Sequence, residues 1–235
     1  MRLSVVYFIF LNPAHAWREL LSAQLRDLVT FKLDERAADI HIVISGDSTS
    51  NFAEAEAIAR ALLPAIHIHM WPHNHYEYPA LDLVHRLAGQ SKDPTNHLIL
   101  YHHSKGMVNS THSEIRTREN LALTQTVIAP WLHVEAQFLA NPNLMKAGYA
   151  AASGGWIWFN FWWARASYLR RVSQPRVTTN RWLHEEWLAH VKDVSSQGYH
   201  YCGAADCLSL CSGEIGVSLP AEKAFRSLVS TPIFS

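Results

Sequence analysis

The sequence predicts a single α/β domain built on an open, mostly parallel sheet flanked by helices. Three observations predict it. Short apolar strands alternate with helix-patterned segments through the first hundred residues, and each strand gives way to polar or turn-forming residues. A chain of 235 residues that is 49% hydrophobic and 17% charged also suits one well-filled core better than two. Such alternation is the sequence form of βαβ units, whose right-handed crossovers make the strands parallel.

Leu3 to Leu11 is a continuous apolar run that stops at Asn12-Pro13, as a buried strand entering a turn should. Ala16 to Val29 then places Trp17, Leu20, Leu21, Leu25 and Leu28 at helical spacing. Ile40 to Ser45 is β-branched and ends at Gly46-Asp47, and Ala-rich Asn51 to Leu63 favours a helix. Ile66 to Trp71 is a third strand closed by Pro72, and Ala80 to Ala88 a third helix. The fourth strand, His97 to Tyr101, runs into the polar loop His102 to Gly106.

Beyond this point the pattern is less regular. Arg118 to Leu139 reads as one long helix bent at Pro130, ended by Asn141-Pro142-Asn143, with a short segment at Lys146 to Ala150. The aromatic block Trp156 to Trp163 is read with a β period, which puts Asn160 on one face with Trp156, Trp158 and Trp162. A further helix is expected over Arg181 to Val191, and the tail from Gly203 is only weakly specified.

Composition narrows the function classes. Twenty Lys and Arg balance twenty Asp and Glu, and no basic run with interleaved aromatics occurs, so nucleic acid is not an expected partner. The apolar stretch near the start is far shorter than the about 20 residues of a transmembrane span and lacks the flanks of a signal peptide. Cys202, Cys207 and Cys211, clustered and odd in number, fit a reducing compartment, so a cytoplasmic location is expected. The Walker and dinucleotide glycine loops and the G-x-S-x-G elbow do not occur.

Ligands of open α/β sheets collect outside the carboxyl ends of the strands. There stand Asn12 after the first strand, Asp47 and Ser48 after the second, His73 and Asn74 after the third, and His102, His103, Ser104 and Lys105 after the fourth. Taken singly, Asn12 and Asp47 are also ordinary turn formers. The fourth loop is more specific, because two imidazoles, a hydroxyl and an ammonium beside Gly106 are donors suited to a phosphate. Asn160 within the indole-rich block is an amide able to bind a sugar hydroxyl or, equally, to satisfy backbone groups in a core strand. Arg181 and Glu185, four apart, share a helix face; they form a surface ion pair there, or Glu185 (with Glu186 as its alternative) faces the site as a general base.

The segments ILYHHSKG (99–106), YEYPALDLV (76–84), FNFWWARASYLRRV (159–172) and RWLHEEWL (181–188) together resemble a group of bacterial and viral glycosyltransferase-like proteins of GT-A (Rossmann-like) type. The matching signatures are Tyr-x-His-(Ser/Thr)-Lys-Gly, Gly-Asn-Phe-Trp-Trp and Arg-x-x-x-Glu-x-Trp. This resemblance implies a glycosyltransferase that moves a sugar from a UDP- or GDP-type nucleotide sugar to a glycan or other hydroxyl acceptor. It implies a nucleotide-binding half over 1–110 and an acceptor and sugar half over 111–235. Glu185, Lys105 and His103 would be catalytic; Asn12, Asp47, His102 and Ser104 would bind the donor; Asn160, Trp162, Trp163 and Arg181 would bind sugar or acceptor. Two departures stand out: Trp156 to Phe159 replaces a His-Phe-Ser-Gly pattern, and no Asp-x-Asp handle for manganese or magnesium occurs.

Two other readings fit the same residues. One is a non-catalytic module of the same fold that holds a nucleotide or glycan. The other is a metal hydrolase, for which His67, His69, His73 and His75 would have to converge. His184 and His190 lie six apart and do not form the i, i+4 zinc pair, and His200 with the three cysteines lacks C-x-x-C spacing.

Overall fold

A computed structural model of the chain describes residues 1–104, 113–192 and 199–217. In chain order the elements are β1 (Arg2–Phe10), α1 (Trp17–Thr30), α2 (Leu33–Arg36), β2 (Asp39–Ser45), α3 (Phe52–Leu62), β3 (His67–Trp71), α4 (Tyr78–Gln90) and β4 (His97–His103). There follow α5 (Ser113–Leu123), a π-helical turn (Thr124–Ile128), α6 (Trp131–Ala140), β5 (Lys146–Gly148), a 3₁₀ turn (Trp158–Asn160), β6 (Trp162–Arg165) and α7 (Ala166–Leu169). The last part holds α8 (Trp182–Glu185), a second 3₁₀ turn (Trp187–Ala189), β7 (His190–Lys192), β8 (Tyr199–Tyr201), β9 (Cys207–Ser209) and β10 (Glu214–Ile215).

Eight strands form one sheet in the order β10-β9-β5-β6-β4-β1-β2-β3. Strands β3, β2, β1 and β4 are mutually parallel; β6 runs antiparallel between β4 and β5; β5 and β9 are again parallel. The fold is thus the open, mostly parallel sheet flanked by helices that the alternating pattern predicts. β7 and β8 form a separate antiparallel ribbon.

The continuous apolar run of β1 follows from burial on both faces. Leu3, Val5, Tyr7, Ile9 and Leu11 enter one core with Leu21, Leu25 and Leu28 of α1 and Ala55 and Ala59 of α3. Val6 and Phe8 enter a second core with Ala80, Leu81, Val84 and Ala88 of α4. A strand covered on both sides has no polar face to alternate with. α3 begins where Asn51 accepts a hydrogen bond from the Glu54 backbone, an N-cap worth about 1 kcal/mol.

Three expectations from the sequence are corrected. The long helix over 118–139 is two helices, α5 and α6, joined by the π-helical turn, with the break at Pro130, which has no N–H to continue the ladder. The β period assumed for Trp156 to Trp163 fails, because Phe159 (φ 71°) and Asn160 (φ 56°) are left-handed; only Trp162 onward is strand, and the two residues reset which side chains share a face. The helix expected over Arg181 to Val191 is one α turn, a 3₁₀ turn and then β7. The weakly specified tail contributes β9 and β10 to the main sheet.

Candidate functional site

The carboxyl ends of β1 to β4 lie on one edge of the sheet because these strands are parallel, and the polar strand-end residues gather there. Asn12 accepts a hydrogen bond from the Ala14 backbone at 3.0 Å and shapes the turn after β1. Asp47 accepts from the Thr49 backbone at 2.8 Å and from the Thr49 hydroxyl at 2.6 Å, with the Ser50 hydroxyl at 3.3 Å. These donors, Thr49 first, hold its carboxyl below the ordinary aspartate range. Ser50 also donates to the Leu11 carbonyl at 3.0 Å, tying the two turns together. Ser104 donates its backbone N–H to Phe8 at 2.8 Å, and its hydroxyl accepts from the Phe10 backbone at 3.3 Å, so it locks β4 to β1.

The centre of the site is a carboxylate that the sequence reading did not single out. Glu77, on the residue before α4, is 12% exposed. Its Oε2 accepts from the Tyr101 hydroxyl at 2.7 Å and from the side-chain amide of Asn160. Oε1 stands 3.8 Å from His103 Nδ1, within ion-pair reach when that imidazole is protonated. His103 Nε2 lies 3.2 Å from the Phe159 carbonyl, which can only accept, so Nε2 carries a proton. The Oδ1 of Asn160 accepts from Trp162 Nε1 at 2.7 Å. One chain of hydrogen bonds thus runs from the β4 end through Glu77 to the aromatic turn. The signal for Glu77 is its place inside the Tyr76 to Val84 segment, flanked by two tyrosines and followed by Pro79 in the first helical turn.

Backbone strain concentrates around this carboxylate. Among the described residues, the non-glycine positions with positive φ are Lys32, Tyr76, Phe159 and Asn160; Tyr76 precedes Glu77 in the chain, Asn160 donates to it, and Phe159 precedes Asn160. Conformations of this kind cost on the order of 1–3 kcal/mol each and cluster where function requires a fixed geometry. Phe159 stands where the resembling motif has glycine, the residue that adopts such a φ without cost.

The remaining expectations separate into those brought to this edge and those placed elsewhere. His102 is fully buried, stacked on Tyr7 with ring centroids 4.8 Å apart. Burial pushes its imidazole down to about 3, so it is neutral at physiological pH and presents no cation to a phosphate. Trp163 lies on the opposite face of β6, buried in the first core and donating to the Val127 carbonyl at 2.8 Å. Trp162 is also fully buried, against Tyr101 and Trp187, and reaches the site through Asn160. Adjacent strand residues point to opposite faces, which is why Trp162 and Trp163 part company, as do His102 and His103.

The helical turn α8 packs against the Trp158–Asn160 turn. Arg181 and Glu185 form an ion pair at 3.0 Å, half-exposed on the arginine side, and Arg181 covers the Trp182 ring at 4.8 Å. Glu186 instead accepts from the Tyr201 hydroxyl at 2.7 Å. Lys105 and Gly106 lie outside the described residues.

The four histidines considered for a metal do not converge. His67 stacks on His41, and His69 Nε2 lies 3.0 Å from His41 Nδ1. His73 and His75 lie past the end of β3, their rings 5.7 Å apart between centroids, and His75 Nδ1 accepts from Trp71 Nε1 at 3.2 Å. Among the described residues, no group of three or more His, Cys, Asp or Glu side chains is placed to hold a metal ion. The carboxylates at the site fit a divalent ion poorly, since Glu77 is engaged by Tyr101 and Asn160, and Asp47 by its own turn. Among the described residues no helix is long and apolar enough to cross a membrane.

No protein-family model and no curated protein matches the chain. Two solved structures are similar to it at low scores. One is 4-diphosphocytidyl-2C-methyl-D-erythritol synthase, at 12% identity and a TM-score of 0.35, covering 98% of this chain and 100% of that one. The other is core-mannan synthase A (CmsA/Ktr4) from Aspergillus fumigatus in its Mn/GDP form, at 13% identity and a TM-score of 0.30, covering 71% of this chain and 60% of that one. Both likenesses are distant, and neither assigns a role to a residue of this chain.

Proposed function

We propose that the chain is a glycosyltransferase that takes a sugar from a UDP- or GDP-type nucleotide sugar and passes it to a hydroxyl acceptor such as a glycan. The observation that supports this reading best is the meeting of the β4 end and the aromatic turn at Glu77, where His103, Tyr101 and Asn160 converge. In this reading the half over 1–110 receives the nucleotide, with Asn12, Asp47 and Ser104 shaping its strand-end turns. His103 and Lys105 meet the diphosphate, and stabilising the departing charge is the largest contribution to rate. The half over 111–235 receives sugar and acceptor, with Asn160, oriented by Trp162 and Glu77, bonding a sugar hydroxyl. Glu185, oriented by Arg181, takes the proton of the acceptor hydroxyl as its oxygen bonds the anomeric carbon and the bond to the diphosphate breaks.

A second reading, binding without turnover, draws support from one observation: Glu185 is held by Arg181 at 3.0 Å, an arrangement that suits a structural ion pair as well as a base. One experiment separates the two. Thermal-shift and turnover assays against a panel of UDP- and GDP-sugars, with manganese, magnesium or chelator, should show stabilisation by the nucleoside diphosphate and its slow release from the sugar. Stabilisation without release supports the binding module, and no response to any nucleotide overturns both.

A further inference from the structure

Away from this site, β5 opens with a lysine that is wholly buried. The Lys146 side chain is 0% exposed, and its Nζ donates to the carbonyls of Gly155 at 2.9 Å and Gly203 at 3.3 Å and to the Tyr168 hydroxyl at 3.2 Å. Asp206 Oδ1 stands 3.2 Å away, and Cys202 Sγ 3.0 Å away. Gly155 lets the two loops close on this amine: at φ +96°, an added Cβ would lie 2.1 Å from the Gly203 carbonyl oxygen and 2.6 Å from Cys202 Sγ. Tyr168 gives its own proton to the Leu188 carbonyl at 2.6 Å and lies 3.0 Å from the same sulfur. An amine and a thiol are therefore held in contact inside a fixed cage, with a carboxylate beside the amine.

We propose that Lys146 and Cys202 form a peroxide-dependent covalent modification site, in which an S–N bond joins the two side chains. Hydrogen peroxide oxidises the thiol by two electrons: the sulfur attacks one peroxide oxygen, the O–O bond breaks, and Cys202 sulfenic acid and water result. Asp206 then takes a proton from the Lys146 ammonium. The freed Nζ lone pair attacks the sulfenic sulfur, the S–O bond breaks, and the departing hydroxide leaves as water with a second proton from nitrogen. Asp206 returns its proton to solvent, so one thiol, one ammonium and one peroxide yield one sulfenamide, two waters and one proton. Cys202 is the thiol of choice because it is half-buried and touches the amine. Cys207 is sealed in the core, where burial pushes its thiol up to about 12, and Cys211 is exposed on the turn after β9. The bond would fasten the Cys202 loop to β5 and, through Gly155, to the segment leading into Trp156.

Peptide mass spectrometry of the full chain, with and without hydrogen peroxide, tests this. The expected product is a peptide containing Lys146 joined to one containing Cys202, about 2 Da lighter than their sum, separated again by dithiothreitol, with cleavage after Lys146 blocked. Dimedone added during oxidation should label Cys202 and suppress the link. Lys146→Arg keeps a cation in place and should lose the link while dimedone labelling of Cys202 rises. Recovery of Cys202 as sulfinic acid or in a disulfide, with the Lys146 peptide free, overturns the proposal. So does a link about 14 Da heavier than the sum, which would hold an inserted oxygen. The wild-type digest decides the matter even where the arginine variant does not fold.

Discussion

The side-chain amide of Asn160 donates to the carboxylate of Glu77 across 83 positions of sequence, joining the turn before β6 to the start of α4. The same carboxylate oxygen accepts from Tyr101 on β4. Because three elements meet at one largely buried carboxylate, the groups should be energetically coupled. In a double-mutant cycle of Glu77→Ala and Asn160→Ala, each single change leaves a buried polar partner unsatisfied, and the double change should cost about 1–3 kcal/mol less than the sum. Urea denaturation of the four proteins measures this; strict additivity would show that the contact contributes nothing.

Phe159 offers a test in which burial and backbone rank substitutions in opposite orders. Its φ of 71° penalises a β-branched side chain far more than asparagine. Phe159→Val should therefore destabilise by about 1 kcal/mol or more beyond Phe159→Asn, although valine is the more apolar. Should valine be the milder change in thermal denaturation, the left-handed turn is not what the position demands.

If Lys105 meets the diphosphate, Lys105→Ala should weaken nucleoside diphosphate binding about tenfold, the equivalent of about 1.4 kcal/mol. Glu185→Gln should leave that affinity intact and lower kcat by about 10²-fold or more. Calorimetry with the nucleotide and a release assay read the two separately. The reverse pattern reassigns their roles.

Acid should destabilise the fold through its buried imidazoles. Burial, reinforced by His41, Arg86 and His67, lowers His69 to about 4; burial and Arg2 lower His97 to about 4; burial and His103 lower His102 to about 3. Unfolded histidine titrates near 6.5. Between these values the unfolded chain binds more protons than the folded one, so stability is complete above about pH 6.5 and falls as pH drops toward 4, by up to about 1.4 kcal/mol per pH unit for each proton. Asp39, held well below the usual carboxylate range by hydrogen bonds from His41, Ser4 and Arg2 despite its burial, adds a loss of the same sign below about pH 4. Urea midpoints from pH 7.5 to 4.5 check the slope. His102→Phe should reduce it, and an unchanged slope would contradict a neutral His102.

Arg165 is 2% exposed and donates to the carbonyls of Leu144 at 2.7 Å, Thr95 at 2.6 Å and Asn141 at 3.2 Å, with Phe138 a further acceptor. Arg165→Met fills similar space and abandons these acceptors, so it should cost about 3 kcal/mol or more. A loss below about 1 kcal/mol in chemical denaturation would mean that water replaces the guanidinium.

Much of this molecule is written locally. β1 is a continuous apolar run and β2 and β4 are mostly apolar because a strand buried on both faces needs them, and the turns at Asn12, Asp47 and Asn74 are placed by side chains that bond their own neighbourhood. The resemblance likewise marked His103 and Asn160, which do meet at one carboxylate. Tertiary structure alone decided that His103 and not His102 reaches that carboxylate, because the outcome depends on register, and that Asn160 turns toward it, because Phe159 and Asn160 are left-handed residues that an aromatic run does not announce. It alone chose Glu77 and placed Lys146 against Cys202, since these contacts join segments many tens of residues apart and no periodicity within a segment encodes them.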